Sequence, residues 1–435
     1  MTLRYQVTAL SRYRVAVRCI GAALIVALAW TWPAVVRGQI PRLFPDGIMV
    51  GDVTESQAVV WTRTNGPSSV RIEYGRTAAA LSQSTPPVQT APASDYVAKI
   101  DLSGLRPATR YHYRASAERE GQRAVTLEGT FMTAPSSTEA ANVAFAWGAD
   151  LSERFKPFRI FTAMRSRRPD YFLLLGDTVY ADIDGNARTL EEYRAAYRRN
   201  RDDEALPRFV RSAAIYATWD DHEVSNNFDS THTRIPIGRQ AFLENWPIRS
   251  DPADPRRLYR SFRFGRLAEV FILDTRQYRS PAFERDTSRK TMLGEAQKEW
   301  LKRGLQRSDA AFKIICSSVP LKYHGADSWE GYTTERNELT RFITQNDIRR
   351  VVFLTGDVHY AAVLRYREGF VEAIAGPLAM FINNRRPAAG EPETEFSFNA
   401  SFTFGLVKVT GNPPQLTIEI YDVENRLLHR TTVQP

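Results

Sequence analysis

Four short apolar runs in this chain each end in one or two aspartates, and this repeated pattern constrains the fold more than any other sequence feature. The runs and their aspartates are Val143–Trp147 with Asp150, Tyr171–Leu175 with Asp177, Ile215–Trp219 with Asp220 and Asp221, and Val351–Leu354 with Asp357. Continuous apolar strands indicate burial on both faces, and helix-like segments such as Leu190–Arg198 lie between them. The sequence therefore predicts a layered α/β domain over residues 143–435.

Sites in α/β sheets form at the carboxyl ends of strands, so these aspartates are expected to converge on one edge. Converging carboxylates in a desolvated cleft repel one another unless a multivalent cation compensates their charge. His222 and His359 follow two of the runs, and the phenol of Tyr180 stands three residues after Asp177. Oxygen-rich ligands favour hard metals over zinc, and a phenolate suits ferric iron, so at least one Fe³⁺ is expected. Each Gly-Asp, histidine or tyrosine alone is more often structural, and the metal hypothesis depends on their joint pattern.

The segment before this domain has the short β-branched runs of an all-β structure. The clearest runs are Ala58–Thr64, Val70–Tyr74 and Tyr96–Ile100. Tyr111 enters a further strand after a proline turn, which is the pattern of the tyrosine corner in sandwich domains. We predict a small immunoglobulin-like or fibronectin-III-like sandwich over residues 40–135, followed by a linker at Pro135–Asn142. The alternative is that these strands belong to one larger domain.

Residues 1–38 have the layout of an export signal, with a basic start and an apolar run at 19–36. The alternative is an uncleaved membrane anchor, because the run has about the ~18 residues that begin to suffice for a span. Removing the five arginines of this segment from the formal charge of +9 leaves +4, so no nucleic-acid partner is expected. Only Cys316 lies outside the segment, so no internal disulfide is expected in a processed chain. We expect a monomer in the periplasm or outside the cell, or one anchored to the membrane by this segment.

The chain resembles the metallophosphoesterase (calcineurin-like) superfamily through an ordered set of motifs: Asp150, Gly176-Asp177-x-x-Tyr180, Trp219-Asp-Asp-His-Glu223 and Gly356-Asp-Val-His359. Within the superfamily it is similar to the PhoD-type, or alkaline phosphatase D, branch, which has segments like Phe271–Arg279, Met292–Leu301 and Asp327–Tyr332. The resemblance covers about residues 41–435. It implies an α/β fold with a layered β-sandwich core flanked by helices, preceded by a small all-β domain.

The resemblance also implies a cluster of metal ions that hydrolyses small phosphate monoesters or diesters. Asp177 would bridge two ions, and Asp150, Tyr180 and His359 would complete a ferric site. A hydroxide held between the two ions would be the nucleophile and would attack the phosphorus in line with the leaving group.

A second set of residues would bind the other ion and assist the leaving group. Asp221 and Asp357 would hold Ca²⁺ by family analogy, with help from Asn226 or Asn227, and other divalent metals stay open. His222 stands where the superfamily places a histidine that faces the leaving group, so we expect it to be the general acid. We also expect Asp221, the residue directly before His222, to be catalytic.

The chain departs from the superfamily pattern at two places. The first motif is often Asp-x-His, but here Asp150 is followed by leucine and Ser152. Some relatives use a cysteine in that motif, whereas Cys316 lies in a later apolar run and is expected to be buried packing. Phe312–Pro320 also lacks the histidine that many relatives place there, and His324 is a candidate substitute.

Several nearby side chains have two interpretations each. Glu223 either orients the general acid or lies at the surface. Arg276 and Arg279 either contact the phosphate or pair with neighbouring acids. Trp329 and Tyr332 either wall the cleft or pack within a loop.

Three other functions compete with the leading interpretation. A phospholipase D-like or teichoic-acid phosphodiesterase would use the same site on a larger substrate. A non-catalytic surface binding protein is disfavoured, because Asp150, Asp177, Asp221, Asp357 and His359 are all retained. A purple acid phosphatase would share the phenolate ligand, but it would be expected to offer histidine where Asp357 stands.

Overall fold

The computed structural model describes residues 43–120, 124–322, 325–388 and 391–433. The predicted export signal at 1–38, and His324, lie outside the described residues. Within these ranges, no helix is both long enough and apolar enough to cross a membrane.

The described residues form 21 strands and seven α-helices. The strands are β1 (Ile48–Gly51), β2 (Gln57–Arg63), β3 (Ser69–Gly75), β4 (Gln83–Ser84), β5 (Val88–Gln89), β6 (Val97–Ser103), β7 (Arg110–Glu118), β8 (Val125–Met132), β9 (Val143–Gly148), β10 (Tyr171–Leu175), β11 (Ala214–Thr218), β12 (Arg260–Phe264), β13 (Ala268–Ile272), β14 (Phe312–Cys316), β15 (Val351–Thr355), β16 (Ala361–Arg365), β17 (Val371–Ile374), β18 (Thr394–Phe398), β19 (Thr403–Thr410), β20 (Gln415–Asp422) and β21 (Leu427–Val433). The helices are α1 (Arg159–Ser166), α2 (Ala181–Asp184), α3 (Leu190–Arg201), α4 (Ala205–Val210), α5 (Ile235–Asn245), α6 (Gly294–Arg307) and α7 (Thr333–Gln345).

A nine-stranded sheet contains three of the four predicted buried strands. Its order is β21-β20-β19-β9-β10-β11-β1-β2-β6, and β9, β10 and β11 run parallel at its centre. Every residue of β10 and β11 is buried, because helices cover one face and a second sheet covers the other. This burial on both faces explains the continuous apolar runs in the sequence.

The second sheet has seven strands in the order β12-β13-β14-β15-β17-β16-β18, with parallel pairing from β13 through β14 and β15 to β17. The two sheets share one apolar core, in which the rings of Phe145 and Phe264 meet edge to face at 4.8 Å between centroids. Helices α1, α3, α4 and α5 pack on the outer face of the nine-stranded sheet, and α6 and α7 pack on the second. This arrangement confirms the predicted layered β-sandwich core flanked by helices.

The N-terminal part is all β, as predicted, but it does not have two sheets of its own. Strands β3, β4, β5, β7 and β8 form a separate five-stranded sheet, whereas β1, β2 and β6 continue the nine-stranded sheet. The continuation depends on parallel pairing of β1 with β11, with Gly51 opposite Ile215. The hydroxyl of Tyr111 accepts a hydrogen bond from the backbone N–H of Arg106 at 3.0 Å, which confirms the tyrosine corner. The domain boundaries at 40–135 and 143–435 stay a prediction.

Glu372 is a buried acid of β17 that joins three segments of the second sheet. Its carboxylate accepts hydrogen bonds from the Leu321 backbone N–H (2.8 Å), the Thr355 hydroxyl (3.0 Å) and the Tyr366 hydroxyl (2.6 Å). Burial raises the pKa of Glu372 from 4.5 to about 7 in spite of these bonds. Because the pKa is raised in the folded state, the protonated Glu372 carboxyl contributes to the stability of the fold. This contribution is fully present below pH 4.5 and is lost as the pH rises through 7.

We expect Glu372→Gln to remove this pH dependence, because a neutral amide has no buried charge to form. The free energy of unfolding of the variant, relative to wild type, should rise by roughly 2 to 3 kcal/mol between about pH 5 and about pH 8. Urea unfolding at both pH values measures the difference, with Glu368→Gln at an exposed position as the control. A difference between variant and wild type that does not change with pH would contradict the prediction.

Candidate metal centre and active site

The carboxyl ends of β9, β10 and β11 in one sheet, and of β15 in the other, bring acidic and histidine side chains together at one edge of the sandwich. Three groups of candidate ligands lie there, and within each group the ligand atoms are all within 4.8 Å of one another. The groups are Asp150, Asp177 and His359; Asp177, Asp221 and His222; and Asp177, Asp220, Asp221 and Asp357. Asp177 belongs to all three groups, which is the position required of a residue that bridges two ions.

The backbone adopts a left-handed conformation at four of these residues. The φ angles are 70° at Asp150, 47° at Asp177, 72° at Asp357 and 56° at His359. This region is unfavourable for residues other than glycine, and aspartate tolerates it better than most. Such conformations persist where the surrounding structure holds them and are concentrated at functional sites. The tight turns after the strands therefore direct these side chains into the cluster at a local conformational cost.

The acidic side chains lack the partners that buried carboxylates require. Both carboxylate oxygens of Asp150 and Oδ1 of Asp221 are buried without a hydrogen-bond partner among the described residues. Burial, followed by repulsion from neighbouring aspartates, raises the pKa of Asp150, Asp177 and Asp357 well above the usual range. Cations would satisfy these oxygens and offset the repulsion, so the residues present fit a metal centre.

Tyr180 and His359 complete one end of the cluster with a phenol oxygen and an imidazole nitrogen. The Tyr180 hydroxyl lies 2.9 Å from Nε2 of His359, and that nitrogen lies 3.9 Å from Oδ1 of Asp150. Burial lowers the pKa of His359 to about 4, so its imidazole is neutral, which is the form that binds metals. A mixed oxygen and nitrogen donor set therefore exists at this end.

The adjacent residues Asp220 and Asp221 have different environments. Asp220 accepts hydrogen bonds from Nη2 of Arg276 at 2.8 Å and from the Ser318 hydroxyl at 2.6 Å. Asp221 has one oxygen bonded to the Asn227 backbone N–H at 2.6 Å, and its other oxygen has no donor. Asp221 rather than Asp220 is therefore available to an ion. The remaining set of carboxylate donors is Asp177, Asp221 and Asp357.

Arg276 and Arg279 pair with neighbouring acids, which is one of the two roles that the sequence left open for them. Both are fully buried, and both donate to Oδ1 of Asp327, at 2.8 Å from Nη1 of Arg276 and 2.7 Å from Nη2 of Arg279. Arg276 also lies 3.7 Å from Oδ1 of Asp221 and 4.0 Å from Oδ1 of Asp357. It therefore compensates part of the negative charge of these two candidate ligands.

His222 is oriented by Asp182, a residue that the sequence analysis did not identify. Nδ1 of His222 lies 2.8 Å from Oδ1 of Asp182, which leaves Nε2 on the side of the cluster, 4.0 Å from Oδ2 of Asp177. Burial opposes the charged form, but Asp221 and Asp182 together raise the pKa of His222 to about 9. The imidazole is thus held in one orientation, and the neighbouring carboxylates favour its protonated form.

Glu223 does not orient His222, although it is the next residue in the chain. Its buried carboxylate accepts hydrogen bonds from the backbone N–H of Thr178 (2.6 Å), the Thr178 hydroxyl (2.7 Å) and the backbone N–H of Asp220 (2.9 Å). Glu223 therefore ties together the turns that follow β10 and β11.

Asn226 lies at the exposed rim of the site. Its backbone N–H donates to Oδ2 of Asp182 at 2.6 Å, so this segment also supports the orienting carboxylate. The role of the Asn226 side chain as a metal ligand stays a prediction.

Trp329 and Tyr332 pack within the fold and do not wall a cleft. Both are fully buried. The Trp329 indole N–H donates to the Ser317 hydroxyl at 3.1 Å, and the Tyr332 hydroxyl donates to the Ser280 carbonyl at 2.6 Å. Any aromatic surface at the mouth of the site must come from other residues.

Comparison with known families agrees with this geometry. The family model described as PhoD-like phosphatase matches residues 144–418, and the model of the N-terminal domain of PhoD-like phosphatases matches residues 32–135. This chain belongs to the PhoD-like phosphatase family. The match to the larger model includes all the candidate metal ligands.

One curated protein is similar to this chain in sequence, and two solved structures are similar to it in fold. Alkaline phosphatase D of Bacillus subtilis (strain 168) is 28% identical over 318 residues, which are 62% of this chain and 54% of that protein. The match thus spans about half the length of this relative. A solved structure of PhoD superposes with a TM-score of 0.77 at 22% identity, over 90% of this chain and 93% of that one. A purple acid phosphatase from yellow lupin seeds shares the fold, with a TM-score of 0.65 at 12% identity over 90% of this chain and 75% of that one.

His222 is the predicted general acid, and we expect Asp182→Asn to weaken it, because the amide no longer stabilises the imidazolium. The kcat for phenyl phosphate should fall by roughly 10- to 100-fold, and that for p-nitrophenyl phosphate should fall less, since p-nitrophenolate leaves without full protonation. Steady-state kinetics with both esters measures the effect. Asp229→Asn is the matched control, because the hydrogen bonds of that carboxylate are to Thr231 nearby in the chain. Equal losses for the two esters would argue against an orienting role.

Proposed function

We propose that this chain is an exported, metal-dependent phosphoesterase that hydrolyses small phosphate monoesters or diesters. The single observation that carries the proposal is the position of Asp177, which is shared by all three groups of candidate ligands in a pocket of unpartnered carboxylate oxygens. Family membership supports the class of reaction, and the similarity to alkaline phosphatase D of Bacillus subtilis supports a small phosphate-ester substrate.

The donor atoms favour two different ions. The phenol of Tyr180 and the imidazole of His359, with Asp150 and Asp177, suit ferric iron. The other set offers only carboxylate oxygens, which suit Ca²⁺, and the amide of Asn226 would add one more oxygen from the rim. Ions held there supply positive charge for the phosphate oxygens and lower the pKa of an attacking water.

The protein's own side chains perform the remaining steps. His222 donates a proton to the leaving oxygen through Nε2, because Nδ1 is held by Asp182. Arg276 lies near Asp221 and Asp357 and offsets part of their negative charge. The buried setting of these groups strengthens each electrostatic contact with a bound phosphate.

Export is the part of the proposal that depends on the N-terminal segment. The basic start and apolar run of residues 1–38 support it, and we place the protein in the periplasm or outside the cell. The small β domain at 40–135 then precedes the catalytic domain at 143–435, and substrates are phosphate esters met outside the cytoplasm.

Hydrolysis of p-nitrophenyl phosphate and bis-p-nitrophenyl phosphate by residues 40–435 tests the activity. We expect wild type to contain bound metal and to hydrolyse at least one ester, with the ratio of the two rates ranking monoester against diester. Asp177→Asn should lose more than 100-fold in kcat/KM together with bound metal, because it removes the shared ligand. Folded wild-type protein with no bound metal and no turnover would contradict the proposal and favour a binding protein.

Tyr180→Phe tests the ferric assignment separately. We expect wild type to show a visible phenolate-to-iron absorption band, and the variant to lose the band and much of its iron. Tyr113→Phe removes a buried phenol from the five-stranded sheet and serves as the control. Colourless wild-type protein that is active only with zinc or manganese would overturn the iron assignment and leave the phosphoesterase proposal intact.

A further inference from the structure

One exposed aromatic ring lies directly against the metal centre. The described residues include four exposed large hydrophobic side chains: Ile183, Phe283, Phe381 and Leu427. Phe381 is 55% exposed, and its ring centroid lies 4.4 Å from that of His359, with an interplanar angle of 76°. What distinguishes Phe381 from the other three is its position beside a candidate site residue, where it offers apolar surface to a molecule bound in the site.

The segment that carries Phe381 is held firmly in place. Ala379 donates its backbone N–H to the Asp150 carbonyl at 2.9 Å, and its own carbonyl accepts from the Ser152 N–H at 2.9 Å. The Asn383 backbone N–H donates to the carbonyl of His359 at 3.1 Å. These bonds join the segment to two of the four chain sections that supply candidate metal ligands, those of Asp150 and His359. The Phe381 ring is therefore presented on a fixed backbone beside the reacting centre.

The geometry of the ring favours a flat partner. Because the rings of Phe381 and His359 are steeply inclined, they do not stack, and the exposed surface of Phe381 is left open to solvent. Aromatic partners prefer offset stacking or edge-to-face contact, and such contacts add about three- to tenfold in affinity beyond area burial. Trp329 and Tyr332 are buried elsewhere and cannot supply this surface.

We propose that Phe381 is a specificity-determining residue that binds the organic group of the phosphate ester, and that the substrates are esters of alcohols with an aromatic or similarly flat ring. The inference rests on the proposed function, since it names the substrate class of the same site. In a monoester, the alcohol is the only organic group, so a ring contact beside His359 selects substrates by their alcohol. In a diester, Phe381 contacts one of the two alcohols.

Comparing phenyl phosphate with glycerol phosphate tests the proposal in the metal-loaded protein. For each variant, the kcat/KM for each ester is divided by the wild-type value, so that the intrinsic reactivities of the esters cancel. In Phe381→Ala, the kcat/KM for phenyl phosphate should fall by about five- to tenfold more than the kcat/KM for glycerol phosphate. Phe381→Tyr should keep the wild-type preference because it keeps the ring. Phe283→Ala removes a phenyl ring that is 89% exposed and has no ring contact with the site. This variant should keep the wild-type kcat/KM for both esters.

Equilibrium binding gives a second readout that does not depend on turnover. Wild type should bind phenylphosphonate more tightly than methylphosphonate, and Phe381→Ala should reduce this preference by about three- to tenfold. Equal losses for both ligands, together with loss of bound metal, would mean that Phe381 only supports His359, and would overturn the proposal. An unchanged preference in Phe381→Ala would overturn it as well. Wild-type protein that hydrolyses neither ester would instead refute the proposed function.

Discussion

The structure depends on one electrostatic constraint, which is the repulsion among carboxylates gathered in a desolvated pocket. Removing a charged carboxylate from water costs several kcal/mol unless a partner compensates it. Arg276 compensates Asp220 and lies near Asp221 and Asp357, but Asp150 receives no donor from the described residues. The unpartnered oxygens face a region shared by three candidate ligand groups. The described residues therefore supply only part of the countercharge, and the proposed cations would supply the rest.

The fold concentrates these charges because two sheets end at the same place. Asp150 and Asp177 follow strands of the nine-stranded sheet, whereas Asp357 and His359 follow β15 of the seven-stranded sheet. The cluster therefore forms only when the two sheets are packed against each other. Hydrogen bonds from the Thr355 hydroxyl and the Leu321 backbone N–H to the Glu372 carboxylate stabilise the second sheet just before its candidate ligands. The architecture thus couples sandwich packing directly to the geometry of the candidate metal centre.

Local patterns predicted much of this structure, and long-range contacts account for what they missed. A buried strand followed by aspartate is a local signal, as is the proline turn before Tyr111, and both appear in the structure. Strands β1 and β11 belong to one sheet because residues that are far apart in the sequence pair with each other, and a local sequence pattern cannot predict such a pairing. Asp182 was missed because Glu223 stands next to His222 in sequence, yet the turn directs Glu223 towards Thr178. Phe381 lies in an irregular segment and became visible only through its ring contact with His359.

Anomalous X-ray diffraction from crystals of the metal-loaded protein would locate the bound ions. We expect two anomalous peaks on either side of the Asp177 carboxylate, each within coordination distance of it. One peak should lie by Asp150, Tyr180 and His359, and the other by Asp221 and Asp357. A metal-free pocket in active protein, or peaks that do not involve Asp177, would contradict the claim that the buried carboxylates are compensated by bridged cations.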